Sequence, residues 1–288
     1  MSTADVETFE MYRPLLFSIA YRMLGSVMEA EDIVQETYLR YHKTAQQEIQ
    51  SLKAFLTTIT TRLCLDFLKS AKVKRESYIG PWLPEPLITE DTSLEFVKQQ
   101  EEISLAFMVL LENLSPVERA IYLLREVFEY SYAEIAPMVG KNEANCRQYY
   151  RNAKQYLISR RPRFKAEPAA QRNLIERFWD AATQGNLDGL LHILAEDAIL
   201  WSDGGGKVAA ARRPLHGRAA IARLLVGSAS RWPADLSIFM KEVNGRQSLL
   251  FQVNQTIIGV MNFLSDDTKI HEIRAIWNPD KLQHLQTV

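Results

Sequence analysis

Residues 130–157 read YSYAEIAPMVGKNEANCRQYYRNAKQYL, and the order of caps and apolar positions in this stretch decides how the middle of the chain folds. Ser131 with Glu134 three residues later has the pattern of a capping box, in which a hydroxyl and a carboxylate each satisfy an N–H of a helix's first turn. Gly140 follows Val139 where a left-handed residue ends a helix, and Asn142 stands where it caps the next helix before Glu143. Two helices joined by about three residues are predicted, as in a helix-turn-helix. Ile135, Ala136, Val139, Cys146 and Tyr149 fall at spacings that let the two helices pack together. Asn145, Arg147, Gln148 and Arg151 are then left outward, and their side chains match base edges and phosphates of a major groove. An antiparallel helix pair with a charged outer face would share part of this pattern. Pro137 is expected to remove the hydrogen bond to the Ala133 carbonyl and to kink the first helix.

Charge sharpens that reading. From Lys141 to Lys165 there are eight Lys or Arg against Glu143 alone, ending in RRPRFK, which suits a phosphate backbone. A second basic run of six Lys or Arg lies between Lys53 and Arg75, with Asp66 the one acid. The 288 residues carry a net charge of −1, so the basic runs are local features within a balanced chain of two or three domains. Cys64 and Cys146 both sit in apolar helical patterns, so they are expected to be buried thiols of a reducing compartment. No signal pattern and no apolar run of membrane-spanning length is present, and a cytoplasmic protein is expected.

Working toward the N-terminus, Phe9, Tyr12, Leu15, Leu16, Ile19, Ala20 and Met23 recur at helical spacing. A second helix from near Met28 packs Ala30, Ile33, Val34, Thr37, Tyr38 and Tyr41, leaving Glu31, Asp32, Gln35, Glu36 and Arg40 outward. A third, from about Leu52, is expected to pack through Phe55, Leu56, Ile59, Leu63, Phe67 and Leu68. Beyond it, Pro81, Pro84 and Pro86 forbid a continuous helix and predict a stiff extended strap, followed by an acidic segment and a helix capped by Asp91, Thr92 or Ser93.

Toward the C-terminus, Leu174, Ile175, Phe178, Trp179, Ala181 and Ala182 form an amphipathic helix, and Leu187 to Leu194 another. His216 to Ser228 reads as a helix after a strand AILWSD. LSIFMKEV and RQSLLFQV flank the hairpin signal Asn244-Gly245, and TIIGVMNFL and IHEIRAIW follow as strands. Helices followed by a curved antiparallel sheet predict a separate α+β domain. Asp203, His216 and His271, with Trp201, Trp232, Phe251, Phe263 and Trp277 as apolar walls, are the candidates for proton-transfer chemistry. As structural residues they read as a turn, a helix cap and core aromatics. No cluster has metal-ligand spacing and no phosphate-loop pattern occurs, so no metal or cofactor is expected.

DIVQET at Asp32–Thr37, the AFLTTITTRLCLD helix, and the helix-turn-helix with its preceding PVERAIYLLREVF helix together resemble regions 2 and 4 of a sigma-70 family factor of the extracytoplasmic-function type, over roughly residues 7–160. The resemblance implies a multidomain chain: region 2 over residues 1–76, a linker over 77–103, region 4 over 104–166, both all-α, and an α+β domain over 169–288. It implies core RNA polymerase (its clamp helices and flap) and promoter DNA as partners, with transcription initiation as the activity. Asp32, Ile33, Gln35 and Glu36 would contact core polymerase. Thr61, Arg62, Asp66 and Lys69 would face the −10 element, and Asn145, Arg147, Gln148 and Arg151 the −35 element.

Three further stretches resemble signatures of one subgroup, whose C-terminal domain is SnoaL-like, a cone fold shared with nuclear transport factor 2 and ketosteroid isomerase. They are WLPEP (Trp82, Leu83, Pro84, Glu85, Pro86), DGGGK (Asp203, Gly204, Gly205, Gly206, Lys207) and NPDKL (Asn278, Pro279, Asp280, Lys281, Leu282). The three are expected to meet, making the C-terminal domain an in-cis regulator with no catalysis and no need of a separate anti-sigma partner. The alternative is a DNA-binding regulator fused to an active SnoaL-type isomerase or cyclase.

Overall fold

The computed structural model describes residues 3–44, 49–90, 104–160, 164, 166–229 and 231–287. The expected caps at Asp91, Thr92 and Ser93 and most of the RRPRFK run lie outside the described residues. The chain divides into two compact units, one of Met1–Ser77, Ser93–Ile103 and Phe107–Arg161, the other of Tyr78–Thr92, Ser104–Ala106 and Pro162–Val288.

The first unit is all helical. α1 (Thr3–Glu10), α2 (Arg13–Leu24), α3 (Val27–Lys43) and α4 (Leu52–Glu76) make its first half. The Ser26 hydroxyl accepts the Glu29 N–H at 3.1 Å and starts α3. Ala30, Ile33, Val34, Thr37 and Tyr41 form its buried face, and Phe9 packs edge-on to Tyr38 at 5.0 Å. α4 departs from the expected packing. Phe55, Ile59, Leu63 and Phe67 are only half-buried, while Leu56, Thr57, Thr60, Thr61, Cys64, Leu65 and Leu68 are buried. Two of these threonines find buried hydroxyl partners, Thr60 with Thr37 at 3.1 Å and Thr57 with Tyr130 at 2.8 Å. Paired hydroxyls remove the cost of burying a polar group, so a threonine stripe can face inward where apolar periodicity alone points elsewhere.

The second half holds α5 (Leu105–Leu111), α6 (Pro116–Tyr122), α7 (Tyr132–Val139) and α8 (Glu143–Arg160). The predicted single helix over 116–128 is α-helical only to Tyr122 and continues as a π-helical turn over Leu123–Val127. The Phe128 N–H bonds to Leu123 O and the Tyr130 N–H to Leu124 O, and Glu129 takes a positive φ of 60°. This closes the chain into α7, where the capping box of Ser131 and Glu134 is complete. Helix α7 runs through Pro137 and ends two residues later at Val139, with Gly140 in the left-handed conformation, so the lost donor falls in the last turn.

The second unit is α+β. α9 (Pro168–Thr183), α10 (Leu187–Ile193) and α11 (Arg218–Ala229) accompany a six-stranded sheet. Its strands are β1 (Leu194–Asp203), β2 (Leu215–His216), β3 (Ser237–Val243), β4 (Arg246–Val253), β5 (Thr256–Ser265) and β6 (Ile270–Ile276), in the order β2-β1-β6-β5-β4-β3. The sheet is mixed rather than wholly antiparallel, because β1 pairs parallel with β6, Trp201 opposite Arg274. His216 belongs to the short edge strand β2, and the helix expected to start there begins at Arg218. Asn244 and Gly245 both have positive φ, as a two-residue primed hairpin turn requires. Leu174, Ile175 and Phe178 of α9 pack with Leu200, Leu249, Phe251, Phe263 and Ile273 in one core. These helices on the sheet make the separate α+β domain that the sequence predicts.

Candidate functional site

The strap after α4 clusters with the second unit, and one carboxylate gathers it. Asp203, at the end of β1, is fully buried. Its Oδ1 accepts from the Tyr78 hydroxyl at 2.5 Å and the Gly205 N–H at 3.1 Å. Its Oδ2 accepts from the Leu83 N–H at 2.9 Å and from Lys281 Nζ at 2.7 Å. Lys281 also donates to the Leu83 carbonyl and lies 4.3 Å from the centroid of the Trp82 ring and 4.8 Å from that of Tyr78. Asn278 closes the ring by donating to the Tyr78 hydroxyl at 2.9 Å. The Tyr78 phenol is pushed well above its ordinary range, first by burial and then by the hydrogen bond to Asp203 and the charge of that carboxylate. A buried ion pair whose remaining lone pairs and protons are satisfied is the geometry in which burial of charge is tolerated.

The glycines of DGGGK have a steric reason. Gly205 has φ 59°, and a Cβ there would sit 2.3 Å from Asn278 Nδ2; Gly206 has φ 73°, and its Cβ would sit 2.8 Å from Ile79 Cδ1. Only residues without side chains let the loop approach both the NPDKL turn and the strap. Lys207 and Asp280 add an exposed pair at 2.7 Å. Pro279, Asp280 and Lys281 form a 3-10 turn capped by Asn278, and Leu282 is buried behind it. Of WLPEP, Leu83, Pro84, Glu85 and Pro86 are buried and Trp82 half-buried. The Pro86 carbonyl bonds to His284 Nε2 at 2.7 Å. Farther along, Ile88 bridges to Val243, and Leu87 and Thr89 bond to Asn244 and Glu242, covering the β3 edge. Tyr78 was not among the residues expected from sequence; its only signal is its place at the head of the proline-rich stretch.

The three candidates for proton transfer sit in separate settings. Asp203 is engaged as above, His216 is exposed on β2, and His271 bonds to Asp266 at 2.7 Å and stacks on Phe164. Three of the expected aromatic walls pack on one another. Trp232 stacks on Phe251 at 5.4 Å, and Trp277 meets both rings. Gly259 is required there, because a Cβ would fall 2.0 Å from the Trp277 ring.

In the first unit, α8 is capped by Asn142, whose Oδ1 accepts the Asn145 N–H at 2.8 Å. Asn145, Arg147, Gln148 and Arg151 are all exposed, and Cys146, Ala153 and Leu157 bury the opposite face. Arg147 pairs with Glu143 at 2.7 Å, and Gln148 with Asn152 at 2.9 Å. Beneath them Glu126 accepts from the Tyr150 hydroxyl and from Lys154 at 3.1 Å. Burial would raise Glu126, but those hydrogen bonds and the nearby cationic charge hold it below the usual carboxylate range.

On α3, Asp32 and Gln35 are exposed, and Glu36 pairs with Arg40 at 2.9 Å. Ile33 is a correction: it is buried in the helical core, so it is not part of an outward contact face. On α4, Asp66 and Lys69 are exposed and paired at 2.8 Å. Thr61 is a second correction. It is 1% exposed with its hydroxyl buried and unpartnered, because the inner stripe of α4 and not its outer face contains it. Arg62 is exposed but engaged, donating to the Pro137 carbonyl at 2.7 Å and reaching the Met138 carbonyl at 3.4 Å on α7. Cys64 and Cys146 are free and buried. Among the described residues no grouping suits a metal ion, and no helix is long and apolar enough to cross a membrane.

The family models for Sigma-70 region 2 and Sigma-70 region 4 match residues 8–73 and 104–157. Among curated proteins, the chain is 35% identical over 236 residues to the ECF RNA polymerase sigma factor SigJ of Mycobacterium tuberculosis, covering 81% of this chain and 75% of that protein. It is 29% identical over 281 residues to the probable ECF RNA polymerase sigma factor SigI of the same species, covering 96% and 93% of the two chains. The crystal structure of M. tuberculosis SigJ superposes with a TM-score of 0.76 at 30% identity, covering 96% of this chain and 98% of that one. The helix-turn-helix, the four-helix N-terminal half and the α+β C-terminal domain are thus shared from end to end, and the chain belongs to the extracytoplasmic-function sigma factors, promoter-recognising transcription initiation factors of the sigma-70 family.

Proposed function

We propose that this sigma factor is regulated in cis by its SnoaL-like domain, through the grip of that domain on the strap that leaves region 2. The observation that supports the reading is the Asp203–Lys281 pair, which holds both the N–H and the carbonyl of Leu83. Region 2 comprises residues 1–76, region 4 residues 104–166 and the regulatory domain residues 169–288, with 77–103 as the element on which regulation acts. Asp32, Gln35 and Glu36 dock on core RNA polymerase, its clamp helices in particular, while region 4 engages the flap. Arg62, Asp66 and Lys69 face the −10 element, and Asn145, Arg147, Gln148 and Arg151 the −35 element. In the free chain Arg62 is committed to two carbonyls of α7, so binding of core polymerase must separate α4 from α7 before Arg62 meets DNA.

The protein works in the cytoplasm, performs no chemistry of its own and needs no separate anti-sigma factor. The separate settings of Asp203, His216 and His271 and the packing of Trp232, Phe251 and Trp277 on one another support the absence of chemistry. The test is promoter-dependent transcription with purified core polymerase and a promoter library, comparing the parent with Asp203→Asn, Lys281→Met and Trp82→Ala. Altered output from all three, with melting still cooperative, is expected. Output equal to the parent from every variant sinks regulation through the strap.

A further inference from the structure

Four residues of α8 point outward, yet they are not equally prepared. Arg147 is held from two sides: Glu143 Oε2 lies 2.7 Å from its Nη2, and its Cζ lies 5.2 Å from the centroid of the Tyr132 ring on α7. The ring itself is fixed. Tyr150 meets it edge-on at 6.0 Å, and the Arg125 guanidinium also lies 5.2 Å from its centroid. Arg125 is tethered through Nη1 to the Tyr130 carbonyl at 3.0 Å, and Tyr150 by Glu126 and Lys154. By contrast, no ion pair or ring contact engages Arg151 among the described residues.

We propose that Tyr132 is a positioning residue for base reading: its ring, with the Glu143 carboxylate, sets the Arg147 guanidinium in one orientation before DNA arrives. This rests on the reading of α8 as the −35 helix. A free arginine loses considerable rotamer freedom when it docks, and ordering it beforehand removes that loss from the binding step. The arrangement also selects the target. A phosphate brought against this guanidinium would stand close to the Glu143 carboxylate, like charge to like, whereas the O6 and N7 edge of a guanine is neutral and takes the two-pronged fork. Half of the Arg147 side chain remains exposed for that contact. Tyr132 therefore determines specificity at the base pair that Arg147 reads without touching DNA itself.

The test uses holoenzyme reconstituted from the full chain and core polymerase, on promoter duplexes randomised across the −35 and −10 elements, with the transcribed templates sequenced. Arg147→Ala is expected to relax the preference at one base pair of the −35 element. Tyr132→Leu should relax the same pair about two- to fivefold, the size of one exposed cation–π contact. It should do nothing further in the Arg147→Ala background, because the effect passes through Arg147. Tyr132→Phe keeps the ring and should stay within about twofold of the parent. Glu143→Gln, a surface change that does not endanger the fold, should relax that pair about twofold. If Arg147→Ala relaxes a position while neither Tyr132→Leu nor Glu143→Gln does, the inference is overturned and the −35 reading stands. If Arg147→Ala changes no position, the −35 reading falls and this inference with it. If Tyr132→Leu melts the domain, Glu143→Gln alone decides by the same criterion.

Discussion

Asp203–Lys281 and Arg147–Glu143 are ion pairs of equal length, 2.7 Å, and they have little else in common. The side chains of the first are 0% and 8% exposed; those of the second are 50% and 44% exposed. Desolvation makes the first pair interdependent, since either charge without the other would be buried and uncompensated. Water screens the second, which contributes little to folding and leaves its arginine available to a ligand. The same interaction is therefore a closed clamp in the second unit and, on the proposed reading of α8, an adjustable reading head in the helix-turn-helix.

Breaking the buried member should give the largest effect. Asp203→Ala removes one charge and leaves Lys281 buried, with a loss of about 3–5 kcal/mol expected for the second unit. Calorimetry of the full chain should show its transition lowered relative to that of the helical unit. Lys281→Met, which leaves the carboxylate with three neutral donors, should cost less than Asp203→Ala. The reverse order would mean that Tyr78, Leu83 and Gly205 do not hold Asp203 as the geometry has it.

A loop substitution separates shape from charge. Gly205→Ala puts a Cβ against Asn278 and imposes a left-handed φ on an L residue, at a cost of roughly 1–3 kcal/mol. Next in size is the helix-turn-helix cap. Ser131→Ala should cost about 1 kcal/mol, read as a lower melting temperature of the helical unit alone. If Ser131→Ala destabilised the chain more than Gly205→Ala, the contrast between a tightly built clamp and a lightly held reading head would be wrong.

These two regions also differ in how far sequence reveals them. The capping box, Gly140 and the Asn142 cap act within four residues, so α7 and α8 were legible from residue types alone. The clamp joins residues 78, 203 and 281, and no local rule links them; only resemblance to a subgroup suggested that strap, loop and turn meet. Apolar periodicity ranks Phe55, Ile59 and Leu63 above the threonines of α4, yet Thr57 and Thr60 turn inward because they find hydroxyl partners on α3 and at Tyr130, and Thr61 lies on the same inner stripe with no partner of its own. The parallel pairing of β1 with β6 was missed for the same non-local reason. The π-helical turn before α7 has no composition signal in LLREV.

Acid should distinguish a third kind of carboxylate. Asp266, at the β5–β6 turn, feels some burial, but hydrogen bonds from His271, Thr268 and Lys269 dominate and hold it well below the usual range. A depressed folded pKa contributes stability that is present above the unfolded value of about 4 and fades as pH falls below it. The effect should be modest, because the side chain is 37% exposed and screened by water. Amide exchange at Thr268 and Lys269, corrected for intrinsic rates, should show greater opening at pH 3 than at pH 5. Asp266→Asn should abolish that difference; if the difference persists, the turn is not held by this carboxylate.

The smallest expected effect on stability falls on Asp66–Lys69, exposed by 71% on both sides. An isolated surface pair of this kind contributes about 0.2–0.5 kcal/mol, so Lys69→Met should leave the melting temperature nearly unchanged. Promoter binding is another matter. If Lys69 meets a phosphate, its removal should weaken binding evenly across sequences and lower the salt slope of log K by about one unit. That separation of a negligible folding effect from a measurable binding effect is the signature of a reading surface. A Lys69→Met variant with unchanged salt slope would remove the residue from that surface, and one that lowered the melting temperature substantially would show that burial does not distinguish clamp from reader.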